Sequence, residues 1–221
     1  MESRELILGK LRSSFSGGER DAIPSTHGKM IFSDYPDESS SALLAQFTGR
    51  VTALKGEVFL VRSLAEAGQS LAQLCREAGV SAGIRHSSPI LDQLFEQSPD
   101  LSQTVECRTC DLTPVDHADF AQAHIGITTA DALIARTGSV VLKASTAGGR
   151  RLSVLPPIHC VIAHQSQLVP SMDDWLKEIN TRDDWSYSTV ITGPSRTADI
   201  ERILVLGAHG PKRLLVFIIS E

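Results

Sequence analysis

Residues 214–219 read Leu-Leu-Val-Phe-Ile-Ile, apolar at every position. A strand with one wet face alternates apolar and polar residues, so a run without alternation requires cover on both faces. The chain must therefore build a sheet with other elements packed above and below, and this segment must lie inside it. Ile158–Ala163, bounded by Pro156-Pro157, and Glu57–Val61 are further short apolar runs of the same kind.

Between these runs the apolar residues follow helical spacing. Leu43, Leu44 and Phe47 share a face over 41–48, with Gly49 as the expected stop. Ser63 to Ala78 reads as a helix with Ser63 at the N-cap, Glu66 placed for a capping box and Gly79 as terminator. Strands are expected at 80–84, 121–127, 139–142, 188–192 and 213–219. Helices are expected at 130–135, at 173–180 with Trp175, Leu176 and Ile179 inward, and at 198–206. Leu6, Ile7 and Leu11 suggest a first helix, and 15–41, rich in Ser, Gly, Asp and Pro, reads as loop. Strands alternating with helices imply parallel pairing through crossover connections, hence an α/β fold with a mostly parallel sheet and helices on both faces.

A chain of 221 residues, 42% hydrophobic, suits one such domain or two small ones. The expected division is a helical N-terminal arm over 1–50 and an α/β domain over 51–221. The net charge of −5 and the scattered basic residues exclude a field suited to nucleic acid or an anionic membrane. No stretch approaches the roughly 20 apolar residues of a membrane span. The acidic start, with Glu2 and Glu5, is unlike a secretory leader, so the expected location is the cytoplasm.

Four cysteines are present, at 75, 107, 110 and 160. Cys107-Arg-Thr-Cys110 is a C-x-x-C pair, but no second pair follows and only His117 and His124 lie close behind. Whether it binds metal stays open, and two plain thiols on a strand or loop is the simpler reading. No metal site is expected on this chain. His27, His86, His117, His159 and His164 form no metal-binding spacing. No P-loop, dinucleotide-binding glycine motif or nucleophile elbow occurs.

Ligands of open parallel sheets bind beyond the carboxyl ends of strands. The first candidate is Thr192-Gly193-Pro194-Ser195-Arg196-Thr197-Ala198-Asp199, where a strand is expected to end and a helix to begin. Backbone amides at that helix mouth, joined by Ser195, Thr197 and the Arg196 guanidinium, would seat a carboxylate or phosphate. The same residues serve equally as capping groups, with Arg196 paired to a surface acid. The second candidate is His209, on the tight turn Gly207-Ala208-His209-Gly210-Pro211, as a general acid or base or as a turn-fixing group. A helix between the two turns would hold them about 13 Å apart, too far for one site without bridging loops. The third is Thr128, Thr129 and Asp131 at another strand end, with Thr128 as a ligand-binding hydroxyl and Asp131 as a catalytic carboxylate, or both as caps. The glycine-containing loop 145–151, with Arg150 and Arg151, is either a cover over a ligand or an ordinary surface loop.

Several of these segments together resemble a known family. Gly126-Ile127-Thr128 with Ala130-Asp131, Thr137-Gly138, the stretch 151–156, Gly193 through Glu201, Leu204–Gly207 and His209-Gly210-Pro211 resemble the lactate-utilization protein C family, built on the LUD domain. The motifs cover about residues 120 to 221, and the first half agrees only in order and length. The resemblance implies a fold like the sugar-phosphate isomerase, CoA-transferase and formyltetrahydrofolate cyclo-ligase group (NagB/RpiA/CoA-transferase-like). It also implies a subunit of a system that oxidises L-lactate to pyruvate. Iron–sulfur clusters would then reside on partner subunits, with no intrinsic cofactor on this chain. At Arg136 the sequence departs from the family, where an acid commonly precedes the Thr-Gly pair. Two other readings stay open: an independent small enzyme of the same fold group acting on an anionic substrate, and a non-catalytic assembly module. A homo-oligomer is compatible with each.

Overall fold

A computed structural model describes residues 5, 7, 8, 10, 39–110, 117–143, 149–178, 187–198, 204–207 and 209–220. The chain divides into two units, Met1–Pro36 and Asp37–Glu221. In the first, the four described residues are helical, and Ile7 is exposed. Most of the expected loop 15–41 lies outside the described residues.

In the second unit the helices and strands follow in this order. They are α1 (Ser40–Ala53), β1 (Glu57–Val61), α2 (Leu64–Glu77), β2 (Ala82–Arg85), α3 (Pro89–Glu96), α4 (Pro99–Thr104), β3 (Glu106–Thr109), α5 (His117–Gln122) and β4 (Ile125–Thr129). Then come β5 (Ala132–Ile134), β6 (Ser139–Lys143), α6 (Gly149–Val154), β7 (Ile158–His164), β8 (Leu168–Val169), α7 (Met172–Glu178), β9 (Ser188–Ile191), β10 (Arg196–Ala198), β11 (Leu204–Leu206) and β12 (Arg213–Ile219). A six-stranded sheet has the order β1-β12-β7-β4-β2-β3, and every pairing in it is parallel. A four-stranded sheet has the order β8-β5-β6-β9.

β12 lies between β1 and β7, as its unbroken apolar run requires. Leu215, Phe217 and Ile219 face a core built with Leu71 and Cys75 of α2 and Leu91 and Leu94 of α3. Leu214, Val216 and Ile218 face the other way, against Phe47 and Val51 of α1 and Leu133 and Val140 of the small sheet. Phe217 is fully buried and stacks on Phe59 with ring centroids 4.7 Å apart. A third cluster, Ile84 with Phe120, Ala123 and Leu152, seats α5 and α6 on the second face.

Local chemistry explains most helix ends. The Ser63 hydroxyl accepts the Glu66 amide at 3.2 Å, while the Glu66 carboxylate accepts the amide of Arg62 at 2.9 Å, so the expected box closes one residue early. α1 runs through Gly49, whose α-carbon faces open space, and ends where Lys55 takes φ 69°. An exposed glycine costs a helix about 1 kcal/mol, which neighbouring buried residues outweigh.

Two expected helices are strands. Ala132–Ile134 is β5, buried at every position and paired antiparallel with β6 around the Gly138 turn, where φ is +66°. The expected helix 198–206 is replaced at both ends by strand: Arg196↔Leu206, Thr197↔Val205 and Ala198↔Leu204 pair antiparallel. Residues 199–203, including Asp199 in the expected first turn, lie outside the described residues. Short apolar runs carry no periodicity that separates a buried strand from a buried helix, and tertiary pairing decides between them.

Candidate functional site

Adjacent strands of a parallel sheet form a crevice where the chain leaves them toward opposite faces. β2 and β4 are such a pair. After β2 the chain enters α3, packed on the first face, and after β4 it enters β5, packed on the second. The β2–β4 register ends at Arg85↔Ile127, whereas β4 stays paired with β7 to Thr129↔Ile162. The strands part beyond Ile127, and the last two residues of β4 carry a partner strand on one side only.

Two hydroxyl–imidazole pairs sit at this end of β4, one across the split and one toward β7. At the mouth, His86 Nε2 lies 3.1 Å from Thr129 Oγ1, spanning the gap from β2 to β4. Beneath it, Thr128 Oγ1 lies 2.9 Å from His159 Nε2 on β7, both residues being buried. Thr128 and Thr129 are consecutive in a strand and therefore point to opposite faces of the sheet; the first reaches His159 on β7 and the second reaches His86, just past β2. Burial, and secondarily the nearby His86, pushes the His159 ring down to about 3, so it is neutral at working pH. Its Nδ1 is buried, with no hydrogen-bond partner among the described residues. Of the two tautomers, the one with the proton on Nε2 leaves only a lone pair unpaired, a smaller cost than an orphaned N–H.

Arg85 supports the mouth from below. Its side chain is only 14% exposed, and the guanidinium lies 2.7 Å from the Asp92 carboxylate, caps the Phe95 ring at 5.2 Å and donates to the His86 carbonyl at 3.5 Å. A tied guanidinium of this kind holds the His86 backbone in place. Gly126 admits α6 over the same strands: a β-carbon there would lie 2.1 Å from the Leu152 carbonyl oxygen.

Asp131 lies just past β4, with one carboxylate oxygen accepting the Lys143 amide at 2.6 Å. That bond ties the open end of the β5–β6 hairpin; residues 144–148 lie outside the described residues. Of the sequence candidates, Thr128 and Asp131 thus stand at the carboxyl edge.

Gly193, Ser195, Arg196, Thr197 and His209 stand elsewhere. β9 belongs to the small sheet, so the turn after it does not emerge at the carboxyl edge of the main one. The Ser195 amide donates to the Pro211 carbonyl at 2.8 Å and the Gly207 amide to the Ser195 carbonyl at 2.9 Å, just before β12 begins. Gly193, at φ +83°, packs on Leu54 just before β1. These residues share the amino edge. Among the described residues no helix separates the Ser195 and His209 turns, and the antiparallel β10–β11 pairing brings the second back onto the first. Their expected separation of a helix length is corrected to direct contact, with Gly210 against the Ser195 side chain. Arg196 and His209 are exposed there. A shallow hollow of about 560 Å³, lined by Arg76, Ser81, Asp100 and Thr104 among others, also opens at the amino edge.

Cys107 lies on β3 and Cys110 just after it, neither of them in a disulfide. Burial pushes Cys107 up to about 12 and Cys75 up to about 11. Among the described residues no group of three or more His, Cys, Asp or Glu could hold a metal ion. No described helix is long and apolar enough to cross a membrane.

Reading the sequence alone missed His86 and His159, which were set aside for lacking metal spacing. The signal for His86 was its place two residues past the strand expected at 80–84. Nothing in the spacing of 128 and 159 marks them as partners.

Comparison with known proteins bears on this geometry. The LUD domain family model matches residues 44–219. "Lactate utilization protein C" of Halalkalibacterium halodurans is 29% identical over all of this chain and 99% of its own length. "Uncharacterized protein YkgG" of Escherichia coli is 30% identical over 72% of this chain and 71% of its own. The Bacillus subtilis lactate utilization protein C is 38% identical, over 45% of this chain and 44% of its own. A DUF162 family protein from Deinococcus radiodurans shares the fold, with a TM-score of 0.59 and 20% identity over 83% of this chain and 99% of that one.

Proposed function

Because the chain belongs to the LUD-domain family, we propose that it serves lactate utilization by seating a small 2-hydroxy or 2-keto acid at the β2–β4 crevice. The observation that carries this reading is the His86–Thr129 hydrogen bond where the two strands part. An imidazole there, beside a hydroxyl, is placed to exchange a proton with the oxygen on carbon 2 of such an acid. The name of a relative matched over its full length supports the pathway. In this reading the oxidation is shared: iron–sulfur partner subunits accept the electrons, while this chain holds the acid and handles a proton. The amino-edge cluster at Ser195, Arg196 and His209 is then a surface for a partner rather than the seat of the acid.

Side-chain and backbone NMR of the purified chain, titrated with L-lactate and with pyruvate, tests the seat. Saturable shifts at His86 and Thr129 are expected. Shifts confined to the turn at Ser195 and Arg196, or none with either acid, would overturn it. In the assembled lactate-oxidising system, His86→Ala is expected to remove activity without releasing the chain from its partners.

A further inference from the structure

We propose that Thr128 and His159 are positioning residues that brace the split end of β4 and so set the state of the His86 ring. The inference rests on the crevice being the working site, but its own test does not need a ligand. Beyond Ile127 the β2 side of β4 has no ladder. On the β7 side the bond that follows the last pair, from the Ala130 amide to the Ile162 carbonyl, is long at 3.3 Å. From Thr128 to Ala130 the backbone is therefore held on the β7 side alone, until the Asp131 amide donates to the Val141 carbonyl at 2.8 Å. The two consecutive hydroxyls add what the ladder lacks: Thr128 ties β4 inward to His159 on β7, and Thr129 ties it outward to His86. Shifting one residue of a strand carries its neighbour with it, so the inner tie decides where the Thr129 hydroxyl meets His86.

The composition of the surrounding core argues for the same role. Val161, Ala163, Leu214 and Val216 on this face are apolar, and an apolar pair in place of Thr128 and His159 would fill the space without leaving Nδ1 unpartnered. A buried polar pair that is not fully satisfied destabilises a core relative to apolar residues of similar shape. Its presence directly beneath the crevice is explained by the placement it enforces.

The test reads the His86 ring by ¹⁵N NMR at neutral pH, without ligand, together with the urea midpoint. The variants are Thr128→Val, the double change Thr128→Val with His159→Leu, and Thr129→Val as reference. The double change removes both polar partners and is expected to stay folded. Its His86 ring signals are expected to move to those of Thr129→Val, and lactate or pyruvate affinity to fall about tenfold, the scale of orienting groups elsewhere. His159→Gln, which keeps an N–H near the Nε2 position, is expected to retain the native ring signals. A purely structural pair would shift the midpoint and leave the ring unchanged. A folded double variant with native His86 signals overturns the proposal, and so does a folded Thr128→Val with native signals should the double change fail to fold. If wild-type protein binds neither acid, the functional reading fails, while the ring comparison still decides the brace.

Discussion

Acidification should destabilise this protein through His159. In the folded chain the ring is fully buried and takes a proton only near pH 3, against 6.5 for an unburied ring. The unfolded chain binds that proton first, so stability falls as pH drops below about 6.5. The contribution is complete above that value, and the loss continues until about 3. Each pH unit inside the window costs about 1.4 kcal/mol. Between pH 7 and pH 4.5 the chain crosses about two such units, a loss of about 3 kcal/mol from this one ring. Such a loss is a large share of the stability of a domain of ordinary size. Carboxylates also titrate here, so the assay must subtract them. Urea unfolding followed by tryptophan fluorescence, at both pH values, in wild type and in the Thr128→Val, His159→Leu double change, does so. The wild type should lose about 3 kcal/mol more than the variant. Equal losses in the two proteins would refute the placement of a neutral ring in the sheet.

Gly126→Ala places a methyl group against the Leu152 carbonyl and Pro156, and α6 must move as a unit; a loss of about 2–3 kcal/mol is expected in urea unfolding, and a wild-type midpoint would contradict the packing. Native protein at pH 8 should react slowly with a thiol reagent, because burial pushes Cys75 and Cys107 up to about 11 and 12 and Cys160 well above the ordinary thiol value; all four thiols should react at once in denaturant, and fast native labelling of any of these three would show its burial to be wrong.

Local chemistry made part of the fold legible. Ser63 and Gly79 delimit α2 because capping and left-handed termini are short-range requirements. The residues at 213–219 announce a central strand because no wet face tolerates six apolar side chains in a row. The segments 130–135 and 198–206 misled for the opposite reason. Each is too short for its period to show, and the pairings that make them strands, β5 with β6 and β10 with β11, form only once the chain has folded. The family motifs at 126–131 and 193–211 were visible as sequence, yet they sit at opposite edges of the sheet, so visibility did not amount to a shared site.

The sequence by itself determined that this chain forms a parallel sheet covered on both faces, because the pattern of apolar residues along each segment reports how many faces of it meet water. Only the tertiary structure decided where β2 and β4 part and which side chains bridge the gap. His86 meets Thr129 across 43 positions, and His159 meets Thr128 across 31. Such pairings depend on strand order and register, which are set by the balance of all contacts in the sheet rather than by any stretch of the chain read alone.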